Sequence, residues 1–461
     1  MKQSHYNVLL PLGEEMILYN TMSSALLIID KDIQHVLQTG EGLPNVVDTL
    51  YSHGFLVDDD FDEKVPVQIY IDADWCRVPF GGYRDTHMGN MEFLNMIITH
   101  ECNLNCSYCY KLFDPCSGHM KEDVVQKSAA FAGKEIEKNS LNTLFLSLYG
   151  GEPLVNRKIT DYAVNELQAV CDEWGVVLMV KLFTNGTLLD EPFLDTFSQN
   201  NIADIHLTFD APESIHDERR VFPNGRSSFN AVLKAAQLIE DRKINLILRI
   251  NISKEKLNVL PLLQKLREEG VRKAHLYFGM AEPRMDYCTH YYSSYGFPGD
   301  SDLFFTLSNE AAKTGFYVLP SEIGLNFSLC ASTSDYIHMV NTDGFVYKCM
   351  SLIGHKNHAV GSLKSDGILD KTPVYTKWVQ KNPLTIPGCR ECVLLPKCMG
   401  GCTAIAWREH KTYNAPGCFT VDFSAQLYNS EPVKAYIGTS GNTHSSCHNT
   451  PLDDEIKERF K

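Results

Sequence analysis

The chain has 461 residues, 44% of them apolar and 21% charged, with a net charge of −15 and a pI near 5.5. That length asks for two or three domains, each with a sizeable core. The acidic balance, with no basic run to offset it, argues against nucleic-acid and anionic-membrane partners. No apolar run is long enough for a membrane helix, and the start MKQSHYNVLLPLGEEM lacks signal-peptide architecture, so a cytoplasmic protein is expected. Fifteen cysteines are many for a reducing compartment, where they point to metal binding or catalysis before disulfides.

In chain order, residues 1–85 read as a separate module. YNVLLPL, MILYN and ALLIID are short apolar runs typical of strands, and NVVDTLYSHGFLV has the spacing of a helix followed by a strand. DDDFDE reads as a solvated linker, and DWCRVPFGGYRDTHMGN as a turn-rich connector. From Leu94 the pattern changes. LNMIIT, LFLSLYGGEP, VVLMVKLFTNG, DIHLTFDA, INLILRINIS and AHLYFGM are apolar strands with helical segments between them. Six strand–helix units predict a parallel sheet wrapped by helices, too few for a closed eight-stranded barrel, so an open partial (β/α)6 barrel is expected over 94–315. Chemistry in such barrels sits at the C-terminal ends of the strands. Residues 316–425 lose helical periodicity, and the cysteine-dense stretch 330–418 shows little core of its own, so it is expected to fold around metal. Residues 426–461 are polar and suggest no role.

The first strand runs directly into MIITHECNLNCSYCYKLF, where Cys102, Cys106 and Cys109 form C-x3-C-x2-C. A structural zinc site normally closes with four protein ligands, and a [4Fe–4S] cluster is usually held by four thiolates. Three thiols leave one corner for a small molecule. A three-thiol zinc site is the alternative that this spacing alone leaves open.

This loop, with Tyr108 before its last cysteine, resembles that of the radical S-adenosylmethionine (SAM) superfamily. The resemblance implies a [4Fe–4S] cluster on Cys102, Cys106 and Cys109, with SAM chelating the free iron. An electron from the cluster would cleave SAM to a 5′-deoxyadenosyl radical. Gly150-Gly151-Glu152-Pro153, ending the second strand, resembles the family's GGEP segment, which receives the SAM amino group; glycine lets backbone carbonyls approach it. TNGTLL and LTFDAPESIHDERR resemble further segments, which implies ribose and carboxylate contacts from Thr208 and one of Arg219, Arg220 or Arg226. The resemblance covers roughly residues 94–310. Asp210, His216, Asp217 and Glu218 lie near the expected site but read equally well as caps or ion pairs.

The later cysteines are Cys330 and Cys349, then Cys389, Cys392, Cys398 and Cys402 as C-x2-C-x5-C-x3-C, then Cys418. This order resembles the SPASM extension of radical SAM enzymes that modify peptides and proteins. It implies two auxiliary [4Fe–4S] clusters, one on Cys389, Cys392, Cys398 and Cys418, the other on Cys330, Cys349 and Cys402. Structural zinc is the alternative. Related enzymes often supply a fourth ligand to the second of these from a cysteine about six residues ahead of the position matching Cys330, where this chain has Gly324; Cys116 and Cys288 are not favoured by spacing. An open iron able to take a substrate thiolate is therefore expected. Cys76, Cys116, Cys171, Cys288 and Cys447 stand apart and read as incidental thiols.

Residues 1–85 resemble the small winged-helix module that binds leader peptides of ribosomally made precursors by adding the leader to a strand edge. Together these resemblances imply an α/β enzyme with an N-terminal peptide-recognition module, a radical SAM core and an iron–sulfur C-terminal domain. It would use SAM and three [4Fe–4S] clusters, take electrons from a flavodoxin or ferredoxin, and crosslink a precursor peptide, most readily through a thioether. Oxidation of a protein side chain, as in sulfatase maturation, is one alternative. A non-catalytic electron-transfer protein is another, which the intact loop cysteines and Gly-Gly-Glu disfavour.

Overall fold

The computed structural model describes residues 1–72, 91–109, 117–197, 202–211, 213–252, 258–280, 301–318, 330–418, 427–428 and 430–439. The N-terminal module opens with β1 (Lys2–Gln3), followed by an antiparallel meander of β2 (Asn7–Leu12), β3 (Glu15–Asn20) and β4 (Leu26–Ile29). Helices α1 (Lys31–Thr39) and α2 (Pro44–Ser52) follow, then β5 (Leu56–Val57), which pairs with β1, and α3 (Lys64–Asp72). The sequence reading anticipates α2 and β5 but not α1 or α3. Helix α1 is mostly polar and buries only Leu37; its boundaries come from Asp30, whose side chain accepts from the Ile33 N–H, and from Gly40 in the left-handed conformation.

The core is one large sheet. Its strands are β6 (Met91–Thr99), β7 (Thr143–Gly150), β8 (Val177–Phe183), β9 (Ile202–Asp210), β10 (Leu246–Ile252), β11 (His275–Met280) and β12 (Tyr317–Val318). Between them lie α4 (Glu122–Asn139), α5 (Arg157–Trp174), α6 (Glu191–Phe197), α7 (Glu213–Arg219), α8 (Phe229–Asp241), α9 (Leu260–Glu268) and α10 (Ser301–Lys313). All the expected parallel strands form, with β12 added at one edge.

At the other edge the sheet continues into the C-terminal stretch. Strand β13 (Ile337–Val340) pairs parallel with β6, and β14 (Phe345–Tyr347), β15 (Gly361–Leu363) and β16 (Leu369–Lys371) follow antiparallel. Helix α11 (Pro373–Val379) packs beside them, burying Tyr375 and Trp378 in the main core. The expectation that this stretch has little core is therefore not met between 337 and 379. Four-residue and shorter strands leave too brief a pattern to read. Beyond them come the single turns α12 (Pro387–Arg390) and α13 (Leu395–Cys398), then α14 (Thr403–His410) and α15 (Glu431–Thr439).

Alternation along each strand divides the sheet into two faces. Leu94, Met96, Leu146, Leu148, Val180, Leu207, Leu248 and Ile250 pack outward against the helices. Asn95, Ser147, Lys181, Asp204, Thr208, Arg249 and Tyr277 lie on the opposite, concave face, as the pairing registers show. No described helix is long and apolar enough to cross a membrane.

Candidate active site

The cysteine loop leaves the C-terminal end of β6, and two neighbouring strand ends fix its path. Gly151 N–H donates to the Thr99 carbonyl (2.8 Å) and Glu152 N–H to that of Glu101 (2.9 Å). A Cβ on Gly150 would collide with the Thr99 carbonyl, and one on Gly151 with those of His100 and Glu101. The glycines thus let two backbones touch where the loop begins.

Glu152 is fully buried, and both its oxygens are occupied. Oε1 accepts from Leu154 N–H (3.1 Å) and Thr184 Oγ1 (2.7 Å), and Oε2 from Asn185 N–H (2.6 Å). Its carboxylate ties the end of β7 to that of β8. Asn185 in turn reaches Asn103 Oδ1 (2.9 Å) and Cys102 Sγ (3.7 Å), so TNG orients the first cysteine.

The far side of the loop is pinned to the segment after β9. Asn105 N–H donates to the Val221 carbonyl (2.7 Å) and Ser107 N–H to that of Arg219 (3.0 Å). Tyr108 then enters a buried network. Its hydroxyl donates to Asp210 Oδ1 (2.8 Å) and receives hydrogen bonds from Arg220 Nη1 (2.8 Å) and Asn251 Nδ2 (3.0 Å). Burial opposes the charge on Arg220, but Tyr108, Cys106 and Asp210 around it outweigh that and hold the guanidinium protonated. Burial raises the Asp210 carboxyl, with Arg220 opposing. Burial likewise raises the Cys106 thiol, again with Arg220 opposing.

Of the three arginines, Arg220 is the one buried against the loop. Arg219 contributes its carbonyl, and Arg226 is exposed over the Phe222 ring at 5.5 Å. His216, pushed down to about 2 by burial, accepts from the Asp210 N–H and contacts Ser228 Oγ, which donates to the Arg220 carbonyl. Asp217 is held by Ser227, and Glu218 is exposed. Thr208 lies on the concave face beside Arg249. Asn251 was missed from sequence; its signal is the polar alternation R-x-N in the apolar run INLILRINIS, unusual for a parallel strand.

The residues present fit an iron–sulfur cluster and a zwitterionic ligand. Three thiols share one short loop, and next to it Asp210 Oδ2 and Arg220 Nε are buried with no hydrogen-bond partner among the described residues.

The second cysteine set lies in the C-terminal turns. Cys389 sits in α12, Cys398 ends α13, Cys402 caps α14, and its N–H donates to the Gly417 carbonyl (2.9 Å) beside Cys418. Burial pushes the Cys389 thiol up to about 11 and Cys398 to about 12, each raised further by Cys392 and Cys418 nearby. Lys381 is buried, donates to the Gly400 carbonyl (3.1 Å), and feels the charges of Cys330, Cys402, Cys389 and Cys398. Cys349 follows β14, and Cys171 is buried in α5. Among the described residues no group of His, Cys, Asp and Glu converges as ligands to a single ion. Gly324, Cys76, Cys116, Cys288 and Cys447 lie outside the described residues.

The N-terminal module docks on this cysteine-rich segment. Tyr6, Val67 and Ile71 pack with Ile386, Cys389, Leu395 and Met399. Thr21 Oγ1 donates to the Val393 carbonyl (2.5 Å), Lys397 reaches Ser24 (2.6 Å) and Lys64 pairs with Glu391 (2.7 Å).

The three-thiol loop stands at the C-terminal end of β6 in a large, mostly parallel sheet; residues 96–258 match the family described as Radical SAM superfamily, and the chain contains a radical SAM domain. Its relatives include the cysteine-type anaerobic sulfatase-maturating enzyme of Clostridium novyi (strain NT), 25% identical over 199 residues. That match takes in 41% of this chain and 48% of the relative, so the chain spans about half the length of that enzyme. The serine-type anaerobic sulfatase-maturating enzyme of Klebsiella pneumoniae is 23% identical over 321 residues, 66% of this chain and 79% of that one. Among solved structures, native anSMEcpe with bound AdoMet superposes with a TM-score of 0.57 at 18% identity, covering 76% of this chain and 99% of its own. Streptococcus suis SuiB bound to precursor peptide SuiA gives 0.51 at 13% identity, covering 92% and 99%. At these identities the likeness is one of fold.

Proposed function

We propose that the chain is an enzyme that cleaves SAM reductively and oxidises a cysteine-bearing precursor peptide, joining the cysteine sulfur to carbon as a thioether. The observation carrying this reading is the cysteine loop itself, locked between the Gly150–Glu152 turn and the Tyr108–Asp210–Arg220 network. A [4Fe–4S] cluster on Cys102, Cys106 and Cys109 with SAM bound would supply a hydrogen-abstracting radical. Arg220 offers a donor for the carboxylate of SAM, the Gly150–Glu152 turn backbone carbonyls for its ammonium, and Thr208 a hydroxyl on the concave face. Cys389, Cys392, Cys398 and Cys418 would hold one auxiliary cluster. Cys330, Cys349 and Cys402 would hold another with an iron open to substrate sulfur, and Lys381 lies between the two sets. Flavodoxin or ferredoxin is the expected electron source.

The N-terminal module supports a peptide substrate. Its meander has the strand edge that leader capture requires, and the likeness of fold to SuiB, solved with a precursor peptide, covers 92% of this chain. The sulfatase-maturating relatives favour a second reading, oxidation of a cysteine to an aldehyde. Both outcomes are two-electron oxidations; a thioether keeps the sulfur and creates no carbonyl, whereas the aldehyde forms when water hydrolyses the oxidised carbon with loss of hydrogen sulfide, and it reacts with hydrazides.

The test is anaerobic reconstitution of wild type and the variant with Cys102, Cys106 and Cys109 all changed to Ala. The variant should lose 5′-deoxyadenosine formation and one cluster's worth of iron, about four irons, while retaining the rest. SAM cleavage by the triple variant would overturn the proposal.

A further inference from the structure

The concave face carries polar side chains that neither the cysteine loop nor its supports use. Asp204 on β9 is buried and serves two partners: Oδ1 lies 2.6 Å from His206 Nε2, and Oδ2 3.4 Å from Lys181 Nζ on β8. The imidazole of His206 stacks on Phe183 (centroids 4.2 Å apart), Phe183 leans on Tyr149 (4.7 Å), and Tyr277 stands edge-on at 6.4 Å. His206 Nδ1 is buried with no hydrogen-bond partner among the described residues. The backbone places this group directly beneath the candidate site. The His206 carbonyl accepts from Thr184 N–H (3.1 Å), the residue holding Glu152, and Tyr149 immediately precedes Gly150. Asp210 is four residues further along the same strand and face, about 13 Å at the rise of a strand.

A carboxylate on Nε2 fixes the tautomer with the proton there, which leaves the Nδ1 lone pair as an acceptor. Burial raises the Asp204 carboxyl, but the hydrogen bonds from His206 and Lys181 and the charge of the Lys181 ammonium pull it down, so the carboxylate persists. A buried acceptor without a partner is costly unless a ligand completes it. An imidazole held on one side by a carboxylate and unpartnered on the other has the arrangement of a general base.

We propose that His206 accepts the thiol proton of the substrate cysteine at Nδ1, with Asp204 and Lys181 as positioning residues; this rests on the cysteine-peptide reading above. In the step the S–H bond breaks, an N–H bond forms at Nδ1, and the electron pair stays on sulfur. Asp204 then faces an imidazolium, and Lys181 keeps the carboxylate in place. An ordinary thiol, with a pKa of about 8.5, is mostly protonated at neutral pH, so an acceptor is needed there. Among the described residues this face also carries Asp210 on β9, Arg249 on β10, His275 and Tyr277 on β11, Tyr149 on β7 and Tyr347 on β14.

The experiment compares full-length reconstituted wild type, His206→Gln and Asp204→Asn, using a synthetic leader-bearing peptide with one core cysteine. His206→Gln should keep its iron and its 5′-deoxyadenosine formation, while peptide product falls about a hundredfold at neutral pH. Product should recover as the pH rises past about 8.5, where the thiol ionises unaided; a merely structural role would not be rescued that way. If His206→Gln loses its iron, Asp204→Asn gives the same reading, with the product profile displaced to alkaline pH. A wild-type ratio of product to 5′-deoxyadenosine across the pH range in either iron-retaining variant would overturn the assignment. No product even from wild type would overturn the peptide-thiol reading and the assignment with it.

Discussion

Burial pushes the Glu152 carboxyl up to about 7, against the three hydrogen bonds it accepts. The unfolded carboxyl titrates near 4.5. The folded protein therefore holds this proton to higher pH than the unfolded chain does. The resulting stability is fully present below about 4.5 and is lost as pH rises through about 7, a span worth about 3 kcal/mol. Glu152→Gln has no such titration. Between pH 5 and 8 the wild-type urea midpoint should fall relative to that of Glu152→Gln, whatever the variant's offset at one pH. Parallel curves would show that hydrogen bonding keeps the carboxylate ionised throughout. The site's most buried acid thus acts by joining strand ends, and Tyr108 and Arg220 do the corresponding work across the loop.

Between elements, the seam of interest is β6 against β13. Glu92 Oε1 lies 2.6 Å from His338 Nδ1, and His338 Nε2 lies 3.5 Å from Lys348 Nζ, which also donates to the Ser334 and Ile337 carbonyls (both 2.7 Å). All three side chains are buried. Burial raises the Glu92 carboxyl, with Lys348 opposing. Lys348→Met removes the ammonium that opposes this rise and the donor to the buried Ser334 and Ile337 carbonyls, and should destabilise by about 2–5 kcal/mol, seen as a lower unfolding midpoint. Adding Glu92→Leu should restore much of the loss, since an apolar pair can replace a buried ionic one. No recovery in the double variant would mean that backbone support by Lys348 dominates. The six parallel strands were legible because strands buried on both faces read as apolar runs. Strands β13–β16 were not, because their brevity hides their period. The cysteine loop was legible because its ligands are neighbours in sequence. The Tyr108 network was not, because its partners lie 102, 112 and 143 residues from Tyr108 and no spacing rule reports such pairs. The alternation D-x-H-x-T-x-D in β9 was visible, and it marks the concave face.

At the scale of the molecule, residues 427–436 meet the N-terminal module. Leu427 and Val433 pack on Val8, Leu10, Leu12, Ile17 and Tyr19, while Tyr428 and Tyr436 hydrogen-bond to Pro11 and Glu15 (2.6 and 2.5 Å). The 426–461 stretch, which suggested no role in sequence, thus covers one face of the N-terminal meander where it is described. Leu427→Ala should cost about 2–5 kcal/mol and speed proteolysis within residues 1–72. An unchanged cleavage rate would show that the module keeps its fold without this cover. The module also holds the loop carrying Cys389, Cys392 and Cys398, so deleting it would disturb an expected cluster as well as leader capture. Point changes on β4 separate the two effects better than truncation.

The pairing of β6 with β13 also bears on synthesis. Asn95 and His338, bonded across that seam, are 243 residues apart. At ribosomal speeds of about 5–20 residues per second, β6 emerges roughly 12–50 s before its partner. During that interval a long apolar strand shows an unpaired edge on the nascent chain, the kind of edge that pairs with neighbouring chains in a polysome. Translation rate and chaperone supply therefore set the yield of active protein, and slow elongation at low temperature lengthens the exposure while it weakens hydrophobic association.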